Sequence, residues 1–323
     1  LSFIKKFSED TNVIMISGHG DLKTAVQAMR IGAFDYIEKP PDLNNLLTSV
    51  RGALKSKTPP KITKSKKAIK KGRYDIVGSA KKIIELKDLL AKISPTNAKV
   101  LILGPNGAGK ELVARQIHLN SLRNDGPFIE VNCAAIPSEL IESELFGHLK
   151  GSFTSAHKDR TGKFEAANNG TLFLDEIGDM SLSAQSKVLR AIQENKIQKV
   201  GSEKDIFVDT RLIAATNKDV KDLISTNKFR EDLYHRISVI ELNVPKLDDR
   251  KDDIPELVNH FLEQLSIQYD KSDIIIDNKA LKKLSSFDWP GNVRELRNVV
   301  ERLIILSESN CITDKDVLKF SGK

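Results

Sequence analysis

Five short, mostly apolar runs recur through the middle of this chain, at 99–103, 128–132, 171–174, 211–215 and 238–242. Between them, apolar positions return at helical spacing. Short runs without strict polar alternation predict strands buried on both faces, and helices between such strands predict a parallel sheet. From about residue 248 the pattern becomes all-helical, with periodic segments at 254–269, 278–286 and 293–306. Asp288-Trp289-Pro290-Gly291 breaks the last two, and Trp289 is expected in the core. An α/β domain over 74–247 followed by a helical domain over 248–323 is the simplest division.

The first 55 residues carry their own alternation. Strands are expected at 12–17 and 33–37, with helical stretches at 2–8, 21–31 and 42–54. This is part of a parallel βαβα unit without its beginning, and two strands cover a sheet poorly. Residues 56–73 read as a linker. From Lys55 to Arg73, nine of nineteen residues are basic, and Pro59-Pro60 forbids one continuous helix. With no aromatic residues interleaved for base stacking, a solvated, self-repelling spacer is preferred over a nucleic-acid arm.

Composition adds limits. The chain has 323 residues, 40% hydrophobic and 29% charged, an ordinary globular balance with room for two domains. The net charge of +7 owes much to the linker. Cys133 and Cys311 are too few for a disulfide framework and point to a reducing, cytoplasmic setting. Both are expected as small buried residues. The six histidines show no metal-ligand spacing, and no apolar run reaches the ~18 residues of a membrane span. Because the chain opens on Leu1 rather than methionine, its natural start is expected upstream.

The chemistry is concentrated in two places. Gly104-Pro105-Asn106-Gly107-Ala108-Gly109-Lys110 follows one strand run and opens a helix. Close glycines let backbone N–H groups turn toward phosphate oxygens, and the helix N-terminus favours the same anion. Lys110 is placed to reach the β- and γ-phosphates. Glu111 stands where a generic phosphate loop has Ser or Thr. Thr171-Leu172-Phe173-Leu174 ends in Asp175 and Glu176, the first positioned for Mg²⁺ or its water shell, the second for orienting or deprotonating a water. The combination predicts ATP and Mg²⁺ as cofactors.

The order of segments resembles the NtrC-type family, bacterial enhancer-binding AAA+ activators of sigma-54 RNA polymerase. The resemblance covers nearly the whole chain. It implies an AAA+ P-loop sheet with a helical lid, preceded by a partial flavodoxin-like receiver. The family's Gly-x-x-Gly-x-Gly-Lys-Glu loop matches Gly104 to Glu111, so Glu111 is expected there. The family's sigma-54 contact loop corresponds to Gly151-Ser152-Phe153-Thr154-Ser155-Ala156, with Phe153 and Thr154 retained and Ser152 and Ser155 replacing Ala and Gly. By the same resemblance Asn132 is a switch on Glu176. Thr216 and Asn217 would sense the γ-phosphate, Arg230 and Arg236 would be fingers for a neighbouring subunit's ATP, Arg294 would be the lid's phosphate sensor, and Val77 would pack on adenine. Ser17 and Lys39-Pro40 match the receiver's switch residue and its Lys-Pro turn, whereas the phosphate-accepting aspartate would lie upstream of Leu1.

The resemblance thus implies an ATPase that assembles as a ring, a hexamer or heptamer, and remodels sigma-54 RNA polymerase within a two-component system. A sensor histidine kinase would be a partner of the full-length protein. Enhancer DNA would be bound only through a helix-turn-helix that this chain does not contain, and no membrane partner is implied. A family relative that hydrolyses ATP without productive sigma-54 contact is the alternative. A nucleotide-binding module without hydrolysis fits less well beside Asp175, Glu176, Arg230 and Arg236. A stand-alone DNA-binding protein fits least.

Overall fold

The computed structural model describes residues 11–17, 28, 33–39, 46, 47, 49, 50, 53, 74–153, 156–271, 273–307 and 309–322. The chain divides into two units, Leu1–Arg73 and Tyr74–Lys323. In the first, β1 (Ile14–Ser17) pairs in parallel with β2 (Asp35–Glu38), Ile14 opposite Asp35 and Ser17 opposite Glu38. The backbone N–H of Lys39 donates to Ser17 O at 2.8 Å, so the two receiver-like positions meet at the strand ends. Pro40, most of the helical stretches expected before residue 55, and the linker lie outside the described residues.

The second unit opens with α1 (Lys81–Ile93), β3 (Val100–Leu103), α2 (Lys110–Leu119) and β4 (Phe128–Asn132). A 3₁₀ turn (Cys133–Ala135) leads to α3 (Ile141–Phe146). The short pair β5 (Gly147–His148) and β6 (Arg160–Thr161) follows, then α4 (Lys163–Ala166) and β7 (Thr171–Asp175). Next come α5 (Leu182–Glu194), a hairpin of β8 (Lys196–Gln198) and β9 (Asp205–Phe207), β10 (Arg211–Thr216), α6 (Val220–Ser225), α7 (Glu231–Ile237) and β11 (Ile240–Asn243). A kinked 3₁₀ segment (Leu247–Asp253) joins this core to α8 (Ile254–Gln268), β12 (Ile275–Ile276), α9 (Asn278–Ser286), α10 (Asn292–Leu306), β13 (Cys311–Ile312) and α11 (Asp314–Phe320).

The five expected strands form one parallel sheet in the order β11-β3-β10-β7-β4. Period-two geometry splits each apolar run between two faces. Leu101, Leu172, Leu174, Leu212 and Ala214 pack on one side with Leu145, Val188 and Leu233. Val100, Ile102, Phe173, Ile213 and Ala215 pack on the other with Ile83, Leu90 and Ile117. The fifth strand starts at Ile240 rather than 238, because Ser238 N still donates to Tyr234 O and completes α7. The helical domain has a separate core around Trp289, which is fully buried with its indole N–H donating to Leu284 O at 3.1 Å. Cys133 is buried as expected, whereas Cys311 is half-buried on short β13. Among the described residues no helix is long and apolar enough to cross a membrane.

Candidate functional site

The carboxyl ends of β3, β10, β7 and β4 lie side by side: Leu103 is opposite Thr216, and Asn132 is opposite Asp175. In an open parallel sheet this edge is where ligands bind. The phosphate loop leaves β3 here. Gly109 has φ +108° with open space around its missing Cβ, so its requirement is conformational. Gly107 has φ +74°, and a Cβ there would lie 2.3 Å from Gly291 O, so its requirement is also steric.

Lys110 is buried beneath the loop. Its Nζ donates to Gly104 O at 3.0 Å and pairs with Glu176 Oε1 at 3.2 Å. The other Glu176 oxygen accepts from Asn217 N–H at 3.1 Å. Glu176 is therefore held from the start of α2 and from the residue after β10, and its backbone is left-handed at φ +50°, a conformation that costs a non-glycine residue about 1 kcal/mol or more. Asp175 accepts from Glu176 N–H at 3.1 Å. Burial, reinforced by the Glu176 charge, pushes the Asp175 carboxyl above the usual carboxylate range, against the pull of Lys110. Asn132 accepts from the N–H groups of Ala134 and Ala135, at 3.0 and 3.2 Å, and so caps the 3₁₀ turn rather than bonding Glu176.

The lid closes the other wall. Lys110, Glu111, Asn132, Asp175, Glu176 and Arg294 line one cleft of about 570 Å³. Arg294 is exposed, and its backbone N–H donates to Gly107 O at 3.2 Å. Ile76, Val77, Ala108, Leu112, Phe261 and Val293 line an adjoining apolar pocket suited to a flat base. Thr216 is fully buried and accepts from Lys218 N–H at 3.1 Å.

Several buried polar residues at this joint carry no obvious sequence signal. Asn292, at φ +54°, donates to Asn106 O at 3.0 Å and to Pro290 O at 3.2 Å, and accepts from Leu247 N–H at 2.8 Å. Asp253 accepts from Ser79 and Ala80 N–H, both at 2.7 Å, capping α1 from the lid side. Arg250 sits 3.8 Å from Asp253 and donates to Ala108 O at 3.4 Å. In sequence, Arg250 and Asp253 look like part of an exposed charge run. Only an asparagine just after Gly291, at a helix start, hinted at a left-handed turn.

Arg230 and Arg236 stand outside this cleft, at the start and end of α7. Arg230 is half-buried and pairs with Asp232 at 2.6 Å. Arg236 is exposed beside Lys99, whose ammonium is pushed down mainly by burial and then by Arg236. Phe153 is half-buried, while Thr154 and Ser155 lie outside the described residues.

Residues 76–243 match the Sigma-54 interaction domain family, 248–320 the AAA+ ATPase lid domain, and 1–51 the response regulator receiver domain. The chain belongs to the sigma-54-dependent response regulators. Among members of this family, it is 44% identical to Regulatory protein AtoC of Escherichia coli K12 over 310 residues, 95% of this chain and 67% of AtoC. It is 46% identical to DNA-binding transcriptional regulator NtrC of Azospirillum brasilense, over 96% of this chain and 64% of that protein. The chain thus spans about two thirds of these regulators. A crystal structure of NtrX from Brucella abortus in complex with ADP is 39% identical, with a TM-score of 0.71 over 98% of this chain and 69% of NtrX.

Proposed function

We propose that this chain hydrolyses ATP between its phosphate loop and lid, and that hydrolysis in a ring of subunits remodels sigma-54 RNA polymerase. The observation that carries the reading is the convergence of Lys110, Asp175, Glu176 and the Asn217 backbone at one sheet edge. Lys110 binds the terminal phosphates in place of Glu176, which is then released to orient or deprotonate the attacking water. Gly104 to Glu111 form the loop around the phosphates, with Pro105, Asn106 and Ala108 shaping its turn. Val77 packs on the base. Asn217 and Arg294 face the γ-phosphate from the core and the lid, and Asn132 switches Glu176 by exchanging its present backbone bonds for one to that carboxylate.

Among the described residues no three metal-ligating side chains cluster. The fitting arrangement is Asp175 with phosphate oxygens and water, the way Mg²⁺ is commonly held. Burial disfavours the Asp175 charge, and a cation beside it would reverse that. When bound, Mg²⁺ neutralises charge on the phosphates.

Arg230 and Arg236 act on a neighbour's ATP, consistent with their place outside the subunit's own cleft. Such arginines contribute ~10³–10⁵ in rate. Phe153, with Thr154 beside it, is the sigma-54 contact. The full-length protein would receive its signal from a sensor kinase through the receiver.

Glu176→Gln tests the chemistry. The amide keeps the shape but cannot take a proton, so ATP binding is expected to persist while turnover disappears. Turnover within a few-fold of the parent would remove Glu176 from this role.

A further inference from the structure

Two-residue β5 pairs antiparallel with β6, Gly147 opposite Thr161 and His148 opposite Arg160. His148, on β5, is where three elements meet. Its backbone lies beside Val200 in the turn of the β8–β9 hairpin. There Leu149 N–H donates to Val200 O at 3.1 Å, and Val200 N–H donates to Gly147 O at 2.9 Å. The His148 ring is buried, with Nδ1 2.7 Å from the hydroxyl of Ser143, itself buried on α3. The ring also meets Phe153 edge-on, with centroids 4.9 Å apart and planes at 70°.

The helix behind this ring leads back to the nucleotide cleft. The 3₁₀ turn that Asn132 caps precedes α3 in the chain. On α3, Glu142 accepts from Ser183 Oγ at 2.6 Å and pairs with Lys187 of α5. A buried imidazole needs a hydrogen-bond partner, and the Ser143 bond fixes its tilt. That tilt decides whether the ring presents a face or an edge to Phe153.

We propose that His148 is a positioning residue for Phe153. It holds the Phe153 ring against the subunit, and the Ser143 bond ties that hold to α3. A shift of α3 against β5 breaks the bond, tilts the imidazole and frees Phe153. The proposal rests on the reading of Phe153 as the sigma-54 contact. Edge-on aromatic pairs favour the held state roughly two- to twelvefold.

The test uses the full chain with Phe153→Trp as an optical probe, since the native Trp289 is fully buried and supplies a constant background. Emission is recorded without nucleotide in the probe chain alone and with His148→Ala, His148→Phe or Ser143→Ala added. Nucleotide-free binding of sigma-54 is measured in matching chains that keep Phe153. Both alanine substitutions should move probe emission to longer wavelength and raise nucleotide-free binding roughly two- to twelvefold. His148→Phe keeps an aromatic edge and should restore part of the shorter-wavelength emission, which loss of a purely structural residue would not do. If His148→Ala does not fold, Ser143→Ala decides by the same readout. Unchanged emission in the folded alanine variants overturns the proposal. If emission shifts but Phe153→Ala still binds sigma-54 undiminished, His148 holds the ring and the polymerase reading of the loop fails instead.

Discussion

Replacing Asn292 by alanine removes three hydrogen bonds at once from the joint between phosphate loop and lid. Leu247 is fully buried, so its N–H would lose its 2.8 Å partner with no water to replace it. A buried donor left in that state costs ~1–3 kcal/mol. Alanine must also adopt φ near +54°, which costs a further ~1–2 kcal/mol. The carbonyls of Asn106 and Pro290 belong to exposed residues and add little. The expected loss is therefore ~2–5 kcal/mol in lid stability. Asn292→Gly keeps the backbone angle and should lose only the hydrogen-bond part, ~1–3 kcal/mol. The assay is urea unfolding followed by fluorescence of Trp289, the single tryptophan, which lies in the lid core. A loss below ~0.5 kcal/mol for Asn292→Ala, the range of an ordinary surface substitution, would refute the reasoning.

Other outcomes can be stated briefly. Arg211 is buried and donates to the Ile93 and Ser94 carbonyls at the end of α1 and to Ala98 O just before β3, so Arg211→Met should cost about 3 kcal/mol or more, read as a lowered melting temperature; an unchanged melt would show that the three bonds contribute nothing net. Mixing Glu176→Gln subunits with Arg236→Ala subunits should partly restore ATP turnover, and verified mixed rings without recovery would count against fingers acting between subunits. Burial, aided by the nearby Asp175 charge, pushes the Cys133 thiol up to about 12, so it stays protonated at pH 8. Iodoacetamide should then label half-buried Cys311 first and Cys133 only on denaturation, and equal native labelling would contradict that ordering.

The sheet was readable because its strands are buried on both faces, leaving apolar runs that polar turns interrupt cleanly. The phosphate loop and the Asp175-Glu176 pair were readable because their chemistry needs those residue types in consecutive positions. The β8–β9 hairpin was not, since Lys196–Gln198 buries only Ile197 and leaves no apolar run. Two-residue β12 and β13 and seven-residue α11 escaped because they are too short to show a period. His148, Asn292, Arg250 and Asp253 matter through partners far along the chain, which no local pattern encodes. Asn132 is read most completely with both: a switch by resemblance, and a turn cap in the conformation seen here.

The cap on α1 has a consequence for biosynthesis. The residue before that helix, Ala80, makes no side-chain cap, and its N–H waits for Asp253, 173 positions later. At ~5–20 residues per second, a ribosome needs roughly 9–35 s to deliver that carboxylate. Throughout this interval only water satisfies these donors at the start of α1, although Lys87 and Gln116 already offer partners to Gly78 O and Tyr74 O just before it. The nascent α/β core therefore carries the start of its first helix capped by solvent, and the protein's own cap arrives only once the lid-side junction has emerged and docked.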